Sequence, residues 1–184
     1  LISLNASPYH LHKENLRLEV LRQVIGTTGL PLIYVNAVGG QDELVFDGGS
    51  FALDIHGLVA TAMPQIETGI GLVTIDENGE PELGLIAPSQ SMESQAYSAL
   101  VLGVRDYVHK NGFPGVIIGL SGGVDSALVL AIAVDALGAE QVRAVMMQSP
   151  YTAEISWVDA RALASNLGVQ YDEIPIGSAV AALE

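Results

Sequence analysis

The second half of the chain alternates between two kinds of apolar segment. Val116-Ile117-Ile118 is short and β-branched, which predicts a buried strand. Ala127–Val134 is longer and rich in Ala and Leu, and Leu137-Gly138 ends it, which predicts a helix with glycine at its stop. Val142–Met147 reads as a second strand. In Asp159–Leu167, Ala160, Leu163, Ala164 and Leu167 share one helical face, and Gly168 closes the segment. Ile174-Pro175-Ile176 reads as a third strand edge. Ahead of these, Met92–Lys110 carries Ala96, Leu100, Gly103-Val104 and Tyr107-Val108 at helical spacing and should pack beside the sheet. Asn111-Gly112 and Pro114 stop it. Strands alternating with helices predict right-handed crossovers and a parallel sheet. A ligand is expected at the carboxyl ends of such strands.

The first half is patterned differently. Leu1-Ile2-Ser3-Leu4 reads as a strand and Lys13–Thr28 as a helix whose apolar face is Leu16, Val20, Leu21 and Val24. Gly29 and Pro31 stop that helix, and Leu32–Val38 reads as one strand. Asp47-Gly48-Gly49 is a turn, and Phe51–Asp54 should pair with Leu58–Ala62 across His56-Gly57. Asp76–Ser91 is rich in Glu, Pro, Gly and Ser and reads as a linker. No internal repeat is visible.

The candidate chemistry lies between the first strand and helix of the second half, where residues 119–126 read Gly-Leu-Ser-Gly-Gly-Val-Asp-Ser. A Gly/Ser turn from strand into helix aims free backbone N–H groups and the positive helix end at one point, which suits an anion. The loop is not Gly-x-x-x-x-Gly-Lys-Ser/Thr, because no Lys follows Lys110, and it is not Gly-x-Gly-x-x-Gly. Gly122 and Gly123 allow close backbone approach to phosphate oxygens, and Ser121 and Ser126 can donate hydroxyl protons. Asp125 would repel phosphate unless a cation lies between them, which suggests Mg²⁺. The alternative is a plain glycine turn capped by Asp125 or Ser126.

Composition narrows the function classes. The 184 residues carry 7 Lys+Arg and a net charge of −14, which argues against a nucleic-acid surface. At 49 % hydrophobic the chain has ample material for a core. It has no Cys and hence no disulfide framework. The longest apolar run, Ala127–Val134, is too short to span a membrane, so cytoplasmic placement is the expectation. His10, His12, His56 and His109 lack metal-ligand spacing. Asp42 and Glu43 read as loop or interface carboxylates, and Ser149 and Thr152 as caps or site-lining residues.

Ser121-Gly122-Gly123-Val124-Asp125-Ser126 resembles the pyrophosphate loop of the ATP pyrophosphatase superfamily. The flanks narrow this. Residues 97–126, YSALVLGVRDYVHKNGFPGVIIGLSGGVDS, resemble the entry to the synthetase domain of glutamine-dependent NAD⁺ synthetases. Ser149-Pro150-Tyr151-Thr152 and Asp159-Ala160-Arg161-Ala162-Leu163-Ala164 continue the likeness. Gln148 stands where that pattern has Pro, and Trp157 is unusual on a helix of this kind. In the first half, Asn5-Ala6-Ser7-Pro8-Tyr9-His10, Lys13, Arg17 and the run Tyr34–Phe51 resemble the C-terminal part of a nitrilase-like glutaminase domain, which precedes the synthetase in the same family.

The resemblance implies an α/β fold: the end of a nitrilase-like α-β-β-α sandwich (1–75), a linker (76–91), and the start of a Rossmann-like ATP-binding domain (92–184). It implies ATP binding by Gly119, Leu120, Ser121, Gly122, Gly123, Val124, Asp125 and Ser126, with Mg²⁺ at Asp125. It implies glutamine contacts at Ser7 and Lys13; a turn hydroxyl and a solvated first-turn Lys are the alternatives. The family's glutaminase Glu, Lys and Cys would lie before Asn5, so no catalytic residue of that reaction is expected here. The implied reaction is ATP-dependent amidation of deamido-NAD⁺ to NAD⁺ through an adenylylated intermediate, with ammonia from glutamine. The implied partners are these small molecules and a second copy in a homo-oligomer. Other readings are a GMP synthetase-type amidotransferase or a nucleotide-binding module. Two full domains of these kinds need several hundred residues, so the chain is expected to be an internal piece, inactive alone.

Overall fold

The computed structural model describes residues 1–148 and 153–182, so the expectations for Ser149 and Thr152 lie outside the described residues. The chain folds as two units, Leu1–Gly103 and Val104–Glu184.

In the first unit, strand β1 (Ile2–Asn5) is followed by helix α1 (Lys13–Thr28), which crosses over to strand β2 (Leu32–Asn36), parallel to β1. Strands β5 (Phe51–Leu53) and β6 (Val59–Ala62) extend this sheet antiparallel, in the order β1-β2-β5-β6. The expected hairpin turn is present, with Gly57 at φ 76°. The core is Ile25, Leu32, Tyr34, Phe51 and Leu53, with Leu18 and Leu21 of α1 packed onto it. Tyr34 and Phe51 face each other across β2 and β5 with ring centroids 5.1 Å apart. Each such large side chain contributes about 1.5–3 kcal/mol on burial.

Two expectations fail here. The buried face of α1 is not Leu16, Val20 and Val24, which are exposed. It is Arg17, Leu18, Leu21 and Ile25, because the helix brings a charged residue to a polar cluster under its first half. Nor is Leu32–Val38 one strand. The Asn36 side chain turns inward, the Ala37 N–H bonds the Asn5 carbonyl, and Val38 opens a separate hairpin. That hairpin is β3 (Val38–Gln41) with β4 (Leu44–Asp47), turning at Asp42 with φ 51°.

Segment 76–91 makes backbone bonds of its own. Asp76 closes an Asx turn onto Asn78 and Glu80, and the N–H groups of Gly84 and Ala87 bond the carbonyls of Ala60 and Ala62.

Helix α2 (Met92–Lys110) follows, with its residues divided between the two units at Gly103. Its buried positions are Ala99, Leu102 and Val108, whereas Leu100 and Tyr107, expected on the packed face, are exposed. Strands β7 (Val116–Gly119), β8 (Val142–Gln148) and β9 (Gln170–Pro175) form an all-parallel sheet in that order. Helices α3 (Val124–Leu137) and α4 (Glu154–Leu167) connect them, and a five-residue helix α5 (Gly177–Ala181) follows. Gly138 and Gly168 stand at positive φ after α3 and α4, as their punctuation predicts. Strand β9 starts at Gln170, earlier than expected, because its polar residues have partners: Asp172 pairs with Arg143, and Glu173 with Arg161 and Gln148. Leu130, Ala133, Ala136, Ala144, Met146, Ala160 and Ala164 form the core between helices and sheet.

Candidate nucleotide site and substrate-binding residues

The loop at 119–126 lies at the carboxyl end of β7. Leu120 is 1 % exposed, and its N–H donates to the Val145 carbonyl at 2.9 Å, so strand pairing continues one residue past Gly119. Leu120 can therefore offer only its backbone to a ligand. The chain then turns at Gly122, φ 80°, where a Cβ would lie 2.4 Å from the Ser156 carbonyl oxygen. Gly123 is the extended N-cap of α3, and it supplies no side chain to the first-turn N–H groups. Those of Val124, Asp125 and Ser126 have no intrahelical acceptor.

The two serines hold the loop's shape. The Ser126 hydroxyl donates to the Gly123 carbonyl (3.0 Å) and accepts from the Ser121 N–H (3.2 Å). The two hydroxyl oxygens are 3.0 Å apart, and Ser121 Oγ also accepts from the Gly123 N–H at 3.3 Å. In this arrangement both serine hydroxyls are engaged within the loop, and the donors left over are backbone N–H groups at a helix start. An anion there gains about 0.3–1 kcal/mol from the dipole, and up to about 2 where partly buried. Asp125 and Val124 are exposed in the first turn. No group of three or more metal-capable side chains occurs among the described residues. A single carboxylate beside a glycine turn of this shape fits what Mg²⁺ asks of a protein, which is one or two carboxylates with the rest of its shell from phosphate oxygens and water.

The Ser7 site belongs to the first unit and stands on a buried polar network. Arg17 and Asp47 are 7 % and 1 % exposed. The Arg17 guanidinium donates Nη1 to Asp47 Oδ2 (2.8 Å) and Nη2 to Oδ1 (2.7 Å), a bidentate pair. Its other edge faces Ser7: Nη2 donates to the Ser7 carbonyl (2.8 Å), and Nε and Nη2 both reach Ser7 Oγ at 3.3 Å. Asn36 Oδ1 accepts the Ser7 N–H (2.8 Å), while Asn36 Nδ2 donates to Asp47 Oδ1 (3.3 Å) and the Gly48 carbonyl (3.2 Å). Desolvation, and then the Asp47 charge, push the Tyr9 hydroxyl above its usual pKa. Lys13 opens α1, six residues after Ser7, and is half-buried.

Sequence reasoning missed Arg17, Asn36 and Asp47 as parts of this site. Arg17 is spaced by four from Leu21 and by eight from Ile25, so a cation stands in the row the helix buries. That row was the available signal. Gln148 ends β8 and donates to Glu173 at 2.6 Å, a bond that proline cannot make. The Trp157 Nε1–H is buried without a partner among the described residues. None of the described helices is long and apolar enough to cross a membrane.

Similarity to known proteins extends over both halves of the chain. Residues 96–184 match the NAD synthase family. The chain is 45 % identical over 182 residues to the glutamine-dependent NAD(+) synthetase of Synechocystis sp., covering 98 % of this chain and 33 % of that protein. Identity to the Rhodobacter capsulatus enzyme of the same name is also 45 %, over 184 residues, with the same coverage. Among solved structures, the glutamine-dependent NAD+ synthetase of Acinetobacter baumannii, in complex with adenosine diphosphate, superposes with TM-score 0.92 at 42 % identity over 99 % of this chain and 35 % of that one. The synthetase from Cytophaga hutchinsonii, at 15 % identity and TM-score 0.79, shares the fold. The chain thus spans about a third of the length of these relatives. Over 98 % of its length it resembles glutamine-dependent NAD(+) synthetases, and its residues 96–184 carry the NAD synthase pattern.

Proposed function

We propose that the protein containing this chain is a glutamine-hydrolysing NAD⁺ synthetase. The observation that carries the reading is the Gly119–Ser126 turn, set between parallel strand β7 and α3 in a chain 45 % identical to enzymes of that name. The reading assigns residues 1–75 to the end of a nitrilase-like glutaminase sandwich, 76–91 to the connection, and 92–184 to the start of the synthetase domain. ATP lies with its phosphates on the 119–126 turn, glutamine meets Ser7 and Lys13, and the enzyme acts in the cytoplasm as a homo-oligomer.

The chemistry follows from the carboxylate to be amidated. A carboxylate is a poor acyl donor, so the nicotinate oxygen of deamido-NAD⁺ attacks the α-phosphorus of ATP and pyrophosphate leaves. The backbone N–H groups of Val124, Asp125 and Ser126 meet the charge that develops on the departing oxygens. Gly122 and Gly123 let those oxygens approach the main chain. Asp125 would hold Mg²⁺, which spreads the same charge when bound. Ammonia then displaces AMP from the acyl carbon, giving the amide.

The test is Asp125→Ala in the full-length protein. NAD⁺ formation is expected to be abolished while glutamine hydrolysis persists; survival of NAD⁺ synthesis would sink the role of Asp125. Offering deamido-NAD⁺ against xanthosine monophosphate separates this reading from a GMP synthetase, for which only the second would be consumed.

A further inference from the structure

We propose that Arg17, locked by Asp47, is the positioning residue that sets the hydrogen-bond polarity of Ser7 towards substrate. This rests on the reading that Ser7 contacts glutamine. A serine hydroxyl has one proton and two acceptor lone pairs, and it rotates to suit its surroundings. Here Arg17 Nε and Nη2 both donate to Ser7 Oγ, so the accepting side is engaged from within the protein. The hydroxyl proton is left for the outward direction. Ser7 is therefore a donor, suited to a carbonyl or carboxylate oxygen of an amino-acid amide and unsuited to its ammonium group.

The frame that enforces this is over-determined. Every peptide polar group of Ser7 is held, its N–H by Asn36 Oδ1 and its carbonyl by Arg17 Nη2. Asp47, itself held by Asn36 Nδ2, fixes the guanidinium from the opposite edge, and the Tyr34 ring lies 6.0 Å from Arg17 Cζ. A lysine at position 17 would keep the charge and lose the fork, because an ammonium cannot address Asp47 and both oxygens of Ser7 with one planar group.

The experiment uses the full-length protein and follows NAD⁺ formation driven by glutamine and, separately, by ammonium chloride. Removing one partner would strand a buried charge, so the variants are Arg17→Lys and the apolar double substitution Arg17→Met/Asp47→Leu. The expected result is a KM for glutamine raised on the order of tenfold or more, a smaller change in kcat, and an unaltered ammonium-driven rate. Ser7→Ala should raise the same KM, and adding Arg17→Lys to it should cost little more. If Ser7→Ala leaves the KM unchanged, the glutamine reading of Ser7 fails and the proposal with it. If Ser7→Ala raises the KM but both Arg17 variants keep the wild-type value, the proposal alone is overturned. Loss of the ammonium-driven rate in both Arg17 variants marks Arg17 as a folding element and also overturns it.

Discussion

Gly122 stands against the backbone of Ser156: a side chain on Gly122 would meet the Ser156 carbonyl oxygen at 2.4 Å and its Cα at 2.6 Å. The 119–126 turn and the first turn of α4 thus share one tight contact, made by main chain on both sides. Gly122→Ala faces that contact and a φ of 80°, a conformation costing about 1–2 kcal/mol for a residue with a Cβ. Because carbonyl and Cα cannot swing aside, the loop must move. ATP-dependent pyrophosphate release in the full-length protein should fall by about tenfold or more. Gly123→Ala, whose Cβ would meet only the Ser121 hydroxyl oxygen at 3.5 Å, should fall less.

Ser126 holds the turn through its hydroxyl, donating to Gly123 and accepting from Ser121. Ser126→Ala should lower stability by about 1 kcal/mol and raise the KM for ATP. Ser126→Thr keeps the hydroxyl and should retain most of the affinity. Thermal melts and ATP titration check the pair.

Asp47 is buried against Arg17, so Asp47→Ala should destabilise the first unit by about 3–5 kcal/mol, the cost of a stranded guanidinium. The double substitution Arg17→Met/Asp47→Leu should cost much less than the two single changes together. A double-mutant cycle in urea measures the coupling.

Hydrogen bonding from Arg143 holds the Asp172 carboxyl below its usual range, and that from Arg161 does the same for Glu173, with Gln148 adding to it. A carboxylate depressed in the folded state stabilises above its unfolded pKa, about 4, and loses that contribution as pH falls through the lower folded value. The melting temperature should therefore hold above about pH 5 and fall in acid below about pH 4. Glu173→Gln should make the acid limb shallower. A limb of unchanged steepness would show that these pairs do not set it.

The chain's punctuation was legible and its faces were less so. Gly29, Gly138 and Gly168 mark the ends of α1, α3 and α4 because each stands at a positive φ that few other residues adopt at low cost. The parallel pairing of β7, β8 and β9 was readable from strand–helix alternation. The buried side of α1 did not follow, because apolar residues occur all around it and a buried guanidinium decides which side turns in. The break at Ala37 was hidden for a similar reason. Asn36 leaves an apolar run unbroken to the eye, yet its amide ties Ser7, Asp47 and Gly48 together. In the 119–126 turn, residue types were readable, but the engagement of both serine hydroxyls inside the loop depends on geometry at the start of α3.

The parallel sheet has a consequence for handling the protein in pieces. Ile117, Met147 and Ile174 are exposed, and β7 has a hydrogen-bonded neighbour on one side only among the described residues. An open strand edge beside uncovered apolar side chains is a template for association with other chains. Residues 104–184 expressed alone should scatter light increasingly with concentration and salt. The net negative charge of these residues, with 4 Lys+Arg against 9 Asp+Glu, opposes association only while it is unscreened.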